Sequence, residues 1–329
     1  MIQGNSYLSL RYSFDVLGSP PMTTILPSRP SRSTTKAPVD RQALSSRLLG
    51  SAAKKSYDPV VEIDWTAPIP DDLYGLSPEW STLYGTPLWD SLDHSQRVTL
   101  TIHEYCSISG IGIWFEHLLM QLVLRDIYGD DPAQPHVQWA LTEIADECRH
   151  SVMFARTAQT FGAPSYGPPS SLLKLGKGYA KRADGPAAYA AILVAEEILD
   201  IFQRDLMKDE RVQPLTRATS QIHVVEEARH MRFAREEVAR RTPELSFLQL
   251  RRHRTMVAAC AAIVAENLVQ PQVYAAVGLD PRTARAAARG NQHYRAKLKD
   301  SSAGLVAFLR EVGLIGGPSE RLWKRAGLV

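Results

Sequence analysis

Cysteine, net charge and long apolar runs are all scarce in this chain of 329 residues. Its three cysteines, Cys106, Cys148 and Cys260, form no Cys-x2-Cys pair, which argues against a disulfide framework and against a cysteine-ligated zinc site. Basic residues exceed acidic residues by only three, 38 against 35, too few to indicate nucleic acid or an anionic membrane as a partner. No uninterrupted apolar run approaches the length of a membrane span. We therefore expect a protein of the reducing cytoplasm.

The composition is otherwise ordinary for a globular protein, with 44% hydrophobic and 22% charged residues. Residues 1–58 are predicted to be poorly ordered, because proline, serine and threonine dominate their middle part. Residues 59–93 are predicted to form an extended arm, since prolines spread among tryptophan and tyrosine exclude a long helix. Residues 94–329 are predicted to form one helical domain.

After residue 93, apolar residues recur at a spacing of three or four, which is typical of amphipathic helices. No convincing alternation of apolar and polar residues predicts a strand. The pattern therefore predicts an all-α fold whose helices pack as antiparallel neighbours. The predicted helices cover residues 94–128, 132–161, 186–209, 214–241 and 243–269, with two shorter ones at 281–298 and 302–312.

Four of these helices contain an internal duplication. Glu147 and His150 form a Glu-x2-His pair, and Glu227 and His230 repeat it 80 residues later. A lone glutamate lies 31 residues before each pair, at Glu116 and Glu196 in turn. Residues three apart share one helix face, so each pair points in one direction. Four glutamates and two histidines in this register predict a ferritin-like four-helix bundle with a dimetal site, followed by extra C-terminal helices.

Carboxylate and imidazole ligands suit iron or manganese, and four carboxylates balance the charge of two divalent ions. His223 lies four residues before Glu227 and faces the same way. We interpret His223 as a third histidine ligand, with a histidine that lies behind the ligands or in the core as the alternative. The equivalent position in the first copy is Glu143.

Charged residues also flank both pairs. An acid precedes each pair's glutamate, and an arginine precedes each pair's histidine. Acids beside metal-bound imidazoles commonly accept a hydrogen bond from the nitrogen that does not face the metal. We expect this role for Asp146, and either this role or an exposed salt bridge for Glu226. The residues placed around the ligands are Asp146, Glu226, Arg149, Arg229 and Glu143.

The two pairs, the lone glutamates and the His-x3-Glu-x2-His run resemble the diiron arylamine N-oxygenases, the para-aminobenzoate N-oxygenase family that makes the aryl nitro groups of aureothin and chloramphenicol. The resemblance covers residues 90–275. The arm sequences SYDPVVEIDW and LYGTPLW bring the pattern closer to the chloramphenicol-pathway branch. By position, the implied ligands are Glu116, Glu147, His150, Glu196, His223, Glu227 and His230, with Glu104 as the competitor of Glu116.

The resemblance also implies a reaction. Two iron ions bind O2 as a peroxo-diiron(III) species, which oxidises an aromatic amine through the hydroxylamine to the nitro compound. An external reductant or a redox partner supplies electrons. The expected partners are the aromatic amine and the electron donor, with no nucleic acid and no membrane, and a homodimer is a further expectation.

Other proteins with this ligand geometry remain as alternatives. A ribonucleotide reductase small subunit needs a tyrosine four residues after the first histidine, where this chain has Phe154. An acyl-carrier desaturase lacks the third histidine, and an iron-storage protein needs neither the arm nor the extra helices. A ferritin-like diiron hydroxylase acting on carbon is the hardest rival to separate.

Overall fold

The computed structural model describes residues 39–329, which are helical almost throughout and contain no strand. One isolated bridge pairs Tyr74 with Val212. The helices are α1 (Arg41–Lys54), α2 (Pro59–Glu62), α3 (Pro87–Asp90), α4 (His94–Ile127), α5 (Pro135–Thr160), α6 (Ser170–Arg182), α7 (Gly185–Leu206), α8 (Pro214–Arg241), α9 (Phe247–Asn267), α10 (Pro281–Gly290), α11 (Gln292–Glu311) and α12 (Glu320–Ala326).

Helices α4, α5, α7 and α8 form the four-helix bundle, with α4 packed on α5 and α7 on α8. Local sequence sets where they begin. Asp93 caps α4 by accepting a hydrogen bond from the backbone N–H of Gln96, whose side chain accepts one from Asp93 in return. The helices α5, α7 and α8 each have proline in the first turn, where a missing N–H costs nothing. The all-α prediction is therefore confirmed.

Helix α7 lies at the centre of the core. Its run from Pro186 to Glu196 is buried at every position, and its alanines allow neighbouring helices to approach closely. Helices α8, α9 and α11 pack around α7. A helix buried on all sides carries few charges, so the single glutamate in this run, Glu196, needs a compensating partner.

The arm lies on the bundle and is mostly non-helical, with only α2, α3 and a short 3₁₀ segment, Pro78–Trp80, between residues 59 and 93. Trp80 donates from its indole nitrogen to Asp205 at 2.9 Å and packs its ring edge-on against Phe202 of α7. Residues 39–329 belong to one compact unit, so the arm belongs to the same unit as the bundle.

The prediction of a poorly ordered segment over residues 1–58 is wrong for its described part, while residues 1–38 lie outside the described residues. Helix α1 begins after Asp40, whose side chain accepts a hydrogen bond from the N–H of Ala43 at 2.8 Å. It packs on α5 and buries Leu44, Leu48 and Ala52. These three residues, four positions apart on one helix face, are the periodic signal that indicates this helix.

Two further helix assignments differ from the prediction. Helix α6 was not expected, and it packs Gly176 against the ring of Trp114, where a Cβ would lie 2.5 Å from the indole. The predicted helix 281–298 ends at Gly290, and α11 begins after Asn291. The Asn291 side chain accepts hydrogen bonds from the N–H groups of His293 and Tyr294, so it caps a new helix.

Two helical segments, His94–Ile127 and Phe247–Val277, are long and apolar enough to cross a membrane by length and composition. Counting uninterrupted apolar residues does not detect them. In the structure 67% and 44% of their apolar windows are buried within the protein. Packing in the core accounts for the apolar character of α4, which is also the helix that carries Glu116.

Candidate metal centre

The bundle brings all seven predicted ligands into one buried cluster. One comes from α4, two from α5, one from α7 and three from α8, and none is more than 3% exposed. Their ligand atoms form overlapping groups in which the atoms lie within 4.8 Å of one another. The cluster comprises Glu116, Glu147, His150, Glu196, His223, Glu227 and His230.

Glu147 and Glu227 lie at the centre of the cluster. His150 Nδ1 is 2.9 Å from Glu147 Oε2 and 3.2 Å from Glu227 Oε1. His230 Nδ1 is 3.0 Å from Glu147 Oε1 and 3.0 Å from Glu227 Oε1. Each histidine therefore contacts the glutamates of both copies, so Glu147 and Glu227 are the two carboxylates that would hold both metals.

His223 approaches the cluster from the other side, near the two lone glutamates. Its Nε2 lies 3.6 Å from Glu116 Oε1, 3.9 Å from Glu196 Oε2 and 3.8 Å from Glu227 Oε1. Its Nδ1 donates a hydrogen bond to Gln203 Oε1 at 2.7 Å. This bond leaves a lone pair on Nε2 facing three carboxylates, which is the state that a metal-binding imidazole needs.

The acid beside each Glu-x2-His pair accepts a hydrogen bond from the histidine of the other pair. His150 Nε2 donates to Glu226 Oε2 at 2.9 Å, and His230 Nε2 donates to Asp146 Oδ2 at 3.2 Å. These contacts fix both rings with Nδ1 towards the cluster. Glu226 is fully buried, so it is not an exposed salt bridge. The connection between α1 and α2 fixes Glu226 in turn, because the N–H of Tyr57 donates to Glu226 at 3.0 Å.

The two arginines lie behind these acids, outside the cluster. Arg149 forms an ion pair with Asp146. Arg229 lies 3.6 Å from Glu226 and 3.8 Å from Asp146. Both arginines thus place positive charge beside the two acids that accept the imidazole N–H groups.

The four glutamates among the seven ligands fall into two groups by the direction of their pKa shifts. Burial, together with repulsion from the other glutamates, raises the pKa of Glu116 and of Glu196 well above the usual range. Burial also opposes ionisation of Glu147 and Glu227, but His150 and His230 outweigh it and lower the pKa of both. Without a cation, the site therefore accommodates its four carboxyl groups by keeping two of them protonated.

The three histidines also differ in the direction of their pKa shifts. Burial acts to lower the pKa of His150 and of His230, but the carboxylates around them outweigh it and raise the pKa of both. Burial dominates at His223 and lowers its pKa to about 4. His223 is therefore neutral at neutral pH.

The donor atoms fit two divalent cations. Among residues 39–329, five buried atoms of the seven ligands form no hydrogen bond of good geometry, although such atoms are rare in folded proteins. These are Glu116 Oε2, Glu147 Oε1, Glu196 Oε2, Glu227 Oε2 and His223 Nε2. Oxygen and imidazole donors without thiolate suit iron or manganese, and two divalent ions would neutralise four carboxylates.

Two further buried glutamates, Glu143 and Glu104, differ in their position relative to the cluster. Glu143 joins the cluster, in a group with Glu147 and His230. Both of its carboxyl oxygens are buried without a partner, and burial raises its pKa to about 8. Glu104 is outside the cluster, because it accepts a hydrogen bond from the backbone N–H of Thr82 at 2.9 Å. The structure therefore favours Glu116 over Glu104 as the ligand from α4.

Sequence reasoning missed Gln203, which lies seven residues after Glu196 and so on the same face of α7. Replacing Gln203 with methionine removes the acceptor that orients His223. Loss of such a contact typically weakens metal binding by about 10–100-fold, and we expect this for one of two metal equivalents. A titration of the apo-protein with Fe(II) against a competing chelator measures the effect.

Gln213 provides the matched control for this variant. It is buried like Gln203, but its amide donates to the carbonyls of Pro70 and Leu73, outside the cluster. Gln213→Met should lower thermal stability and leave both metal affinities unchanged. Equal affinities in Gln203→Met and the wild type would contradict a role of His223 as a ligand.

Four carboxylates and three imidazoles inside a four-helix bundle define the class of ferritin-like carboxylate dimetal proteins. Within that class, the chain belongs to a particular family. The family described as p-aminobenzoate N-oxygenase AurF matches residues 38–313, so the resemblance found in the sequence is confirmed.

The chain is also similar to uncharacterised proteins of Mycobacterium bovis and Mycobacterium tuberculosis. Each is 24% identical to it over 210 residues, which is 61% of this chain and 62% of the relative. The match thus spans less than two thirds of these relatives' length.

Proposed function

We propose that this protein is a non-haem diiron N-oxygenase, which uses O2 to oxidise an aromatic amine through the hydroxylamine to the nitro compound. The observation that carries the proposal is the duplicated cluster with His223 as a third imidazole. Family membership supports the same reaction class. The ligands would be Glu116, Glu147, His150, Glu196, His223, Glu227 and His230, with two iron ions supplying the redox chemistry that activates O2.

The residues of the cluster would have different roles. Glu147 and Glu227 would hold both metals, because each contacts both His150 and His230. Asp146 and Glu226 would keep these imidazoles oriented by accepting their Nε2–H groups. His223 would make one metal richer in nitrogen ligands than the other.

The amine would bind beside Glu116, Glu196 and His223, where a small cavity of about 10 Å³ opens. Its walls are mostly apolar, with Phe154 and Phe202 among them. Aromatic walls suit a flat aryl ring and exclude water from the reaction. The cavity has room for one water molecule, so side chains must move when a substrate enters.

Two small residues of α4 play different roles here. A Cβ on Gly110 would lie 1.5 Å from the carbonyl oxygen of Ser165, so Gly110 serves the close approach of the loop before α6. A Cβ on Gly112 would meet no atom within 4 Å, and Gly112 lines the cavity. Gly112 is therefore the position where a larger side chain would fill the substrate space without disturbing the backbone.

Single turnover of the Fe(II)-loaded protein with p-aminobenzoate under labelled O2 tests the reaction. We expect labelled oxygen on the nitrogen of the product. A product hydroxylated on the ring, or no product in spite of full iron loading, would contradict the N-oxygenase proposal and move the function to a carbon hydroxylase or to iron storage.

Gly112→Val tests the substrate position. We expect it to retain both irons and to slow amine oxidation by about tenfold or more, because the valine side chain fills the cavity. Gly50→Val is the matched control, since Gly50 lies on α1 and a Cβ there also meets no atom within 4 Å. Equal amine oxidation rates in the two variants would place the substrate elsewhere.

The finer assignment follows the sequences 56–65 and 83–89, which resemble the chloramphenicol-pathway branch. We propose that the amine is an antibiotic precursor, that of chloramphenicol in particular. A redox partner or small reductant would supply the electrons. Comparing p-aminobenzoate with amines that carry the longer side chain of such a precursor, by kcat/KM, tests this assignment.

A further inference from the structure

A second cavity lies away from the metal centre, between α9, α10, α11 and α12 and the segment Pro271–Val277. Its volume of about 310 Å³ is in the range of cavities that bind small molecules. Glu104, the residue of α4 beneath its floor, precedes Glu116 by 12 residues, which is roughly 18 Å along the helix. The cavity is therefore separate from the proposed amine site.

Four arginines line this cavity, from three different helices. Arg285 and Arg289 are one helical turn apart on α10, Arg295 comes from α11 and Arg325 from α12. Among residues 39–329, Glu266 is the only acid in the lining. The net charge of the lining is therefore +3, and a ligand with a single carboxylate could not balance it.

Most of this positive charge has no partner among residues 39–329. Arg289 lies 3.8 Å from Glu266, whereas no ion pair is found for Arg285, Arg295 or Arg325 in that part of the chain. Like charges gathered in one concave site repel one another and attract a counter-ion. Guanidinium groups suit phosphate in particular, because their planar N–H pairs match its oxygens.

The floor of the cavity is polar and hydrogen-bonded. The hydroxyl of Tyr274 lies 2.9 Å from Thr82 Oγ1, and the backbone N–H of Thr82 donates to Glu104 at 2.9 Å. Burial raises the pKa of Glu104 to about 7, so this carboxyl is only partly ionised at neutral pH and compensates only part of the charge above it. The rest of the lining is apolar, with Leu268, Leu298 and several alanines.

From this lining we propose that the cavity binds a small organic phosphate, with the arginines holding the phosphate groups and the apolar wall holding the organic part. This cavity has no role in the proposed dimetal site or in the proposed amine reaction. The two sources of such an anion, a phosphate ester and free inorganic phosphate, differ in whether they use the apolar wall.

Calorimetric titration of the full chain with ADP, pyrophosphate and adenosine tests the proposal. We expect saturable submillimolar binding of ADP, weaker binding of pyrophosphate and no binding of adenosine. Equal binding of ADP and pyrophosphate would overturn the role of the apolar wall. Absence of saturable binding of both anions would overturn the site.

Arg285→Gln should weaken ADP binding by about tenfold or more, because a charge-assisted contact is lost. The matched control is Arg282→Gln, which removes the same charge from the same helix at an exposed residue that does not line the cavity. Equal affinities in the two variants would overturn the proposal.

The variant Glu227→Gln distinguishes anion binding in this cavity from phosphate binding at the metal centre. The variant should bind ADP as the wild type does. Loss of ADP binding in Glu227→Gln would assign the anion to the metal centre instead, whereas failure of the amine reaction would leave the result at this cavity unchanged.

Discussion

Glu227→Gln is expected to lower the tightly bound iron from two ions per chain to at most one. Glu227 contacts His150, His223 and His230, so it is the carboxylate most central to the cluster. An amide keeps the volume of the side chain but cannot carry the charge that a bridging ligand needs. Iron analysis after anaerobic loading and removal of free metal measures the effect.

Glu104→Gln is the matched control for that variant, because Glu104 is equally buried in the same bundle but lies outside the cluster. It should retain two irons. Both variants should melt cooperatively as apo-proteins, which shows that the iron count does not reflect unfolding. Two tightly bound irons in Glu227→Gln would contradict the assignment of Glu227.

Metal binding is expected to release about four protons per chain near neutral pH. The carboxyl groups of Glu116 and Glu196 and the imidazoles of His150 and His230 all have a raised pKa in the apo-protein. Each must lose a proton before it can bind a metal. Two protons per metal would make the affinity rise by about a hundredfold per pH unit for each ion. Titration calorimetry in buffers of different ionisation enthalpy counts the protons.

The same groups set the stability of the apo-protein. A group whose pKa is higher in the folded state binds more protons folded than unfolded, so its contribution is lost as pH rises. For these four groups the loss begins above the unfolded pKa of the glutamates and continues as each group passes its raised folded pKa. The apo-protein should therefore melt at a lower temperature at pH 8 than at pH 6, while the metal-loaded protein should not. Equal melting temperatures of both forms at both pH values would contradict a metal site in this cluster.

The periodicity of the helix explains why the candidate ligands could be predicted from sequence. Glu147 and His150 must share a face wherever their helix lies, and the repeat at Glu227 and His230 fixed the number of helices involved. Its place on the same helix face as Glu227 made His223 a ligand candidate, and the structure brings it to the same cluster. Helix starts at prolines were also predicted closely, as for α8 at Pro214.

What the sequence could not predict depends on contacts between distant helices. The crossing of Glu226 to His150 joins residues 76 positions apart, and no local pattern encodes it. Gln203 shares a face with Glu196, but glutamines on helices have many other roles. Helix α1 was missed because its stability depends on packing against α5, while its own sequence is largely polar.

Spectroscopy of the iron-loaded protein, combined with its iron content, tests the central claim most directly. If Glu147 and Glu227 bridge two metals, the chain binds two irons, and after oxidation Mössbauer spectroscopy shows an antiferromagnetically coupled pair with no paramagnetic signal. One iron per chain, or two irons that give the resonance of isolated ferric ions, would contradict a bridged dimetal site.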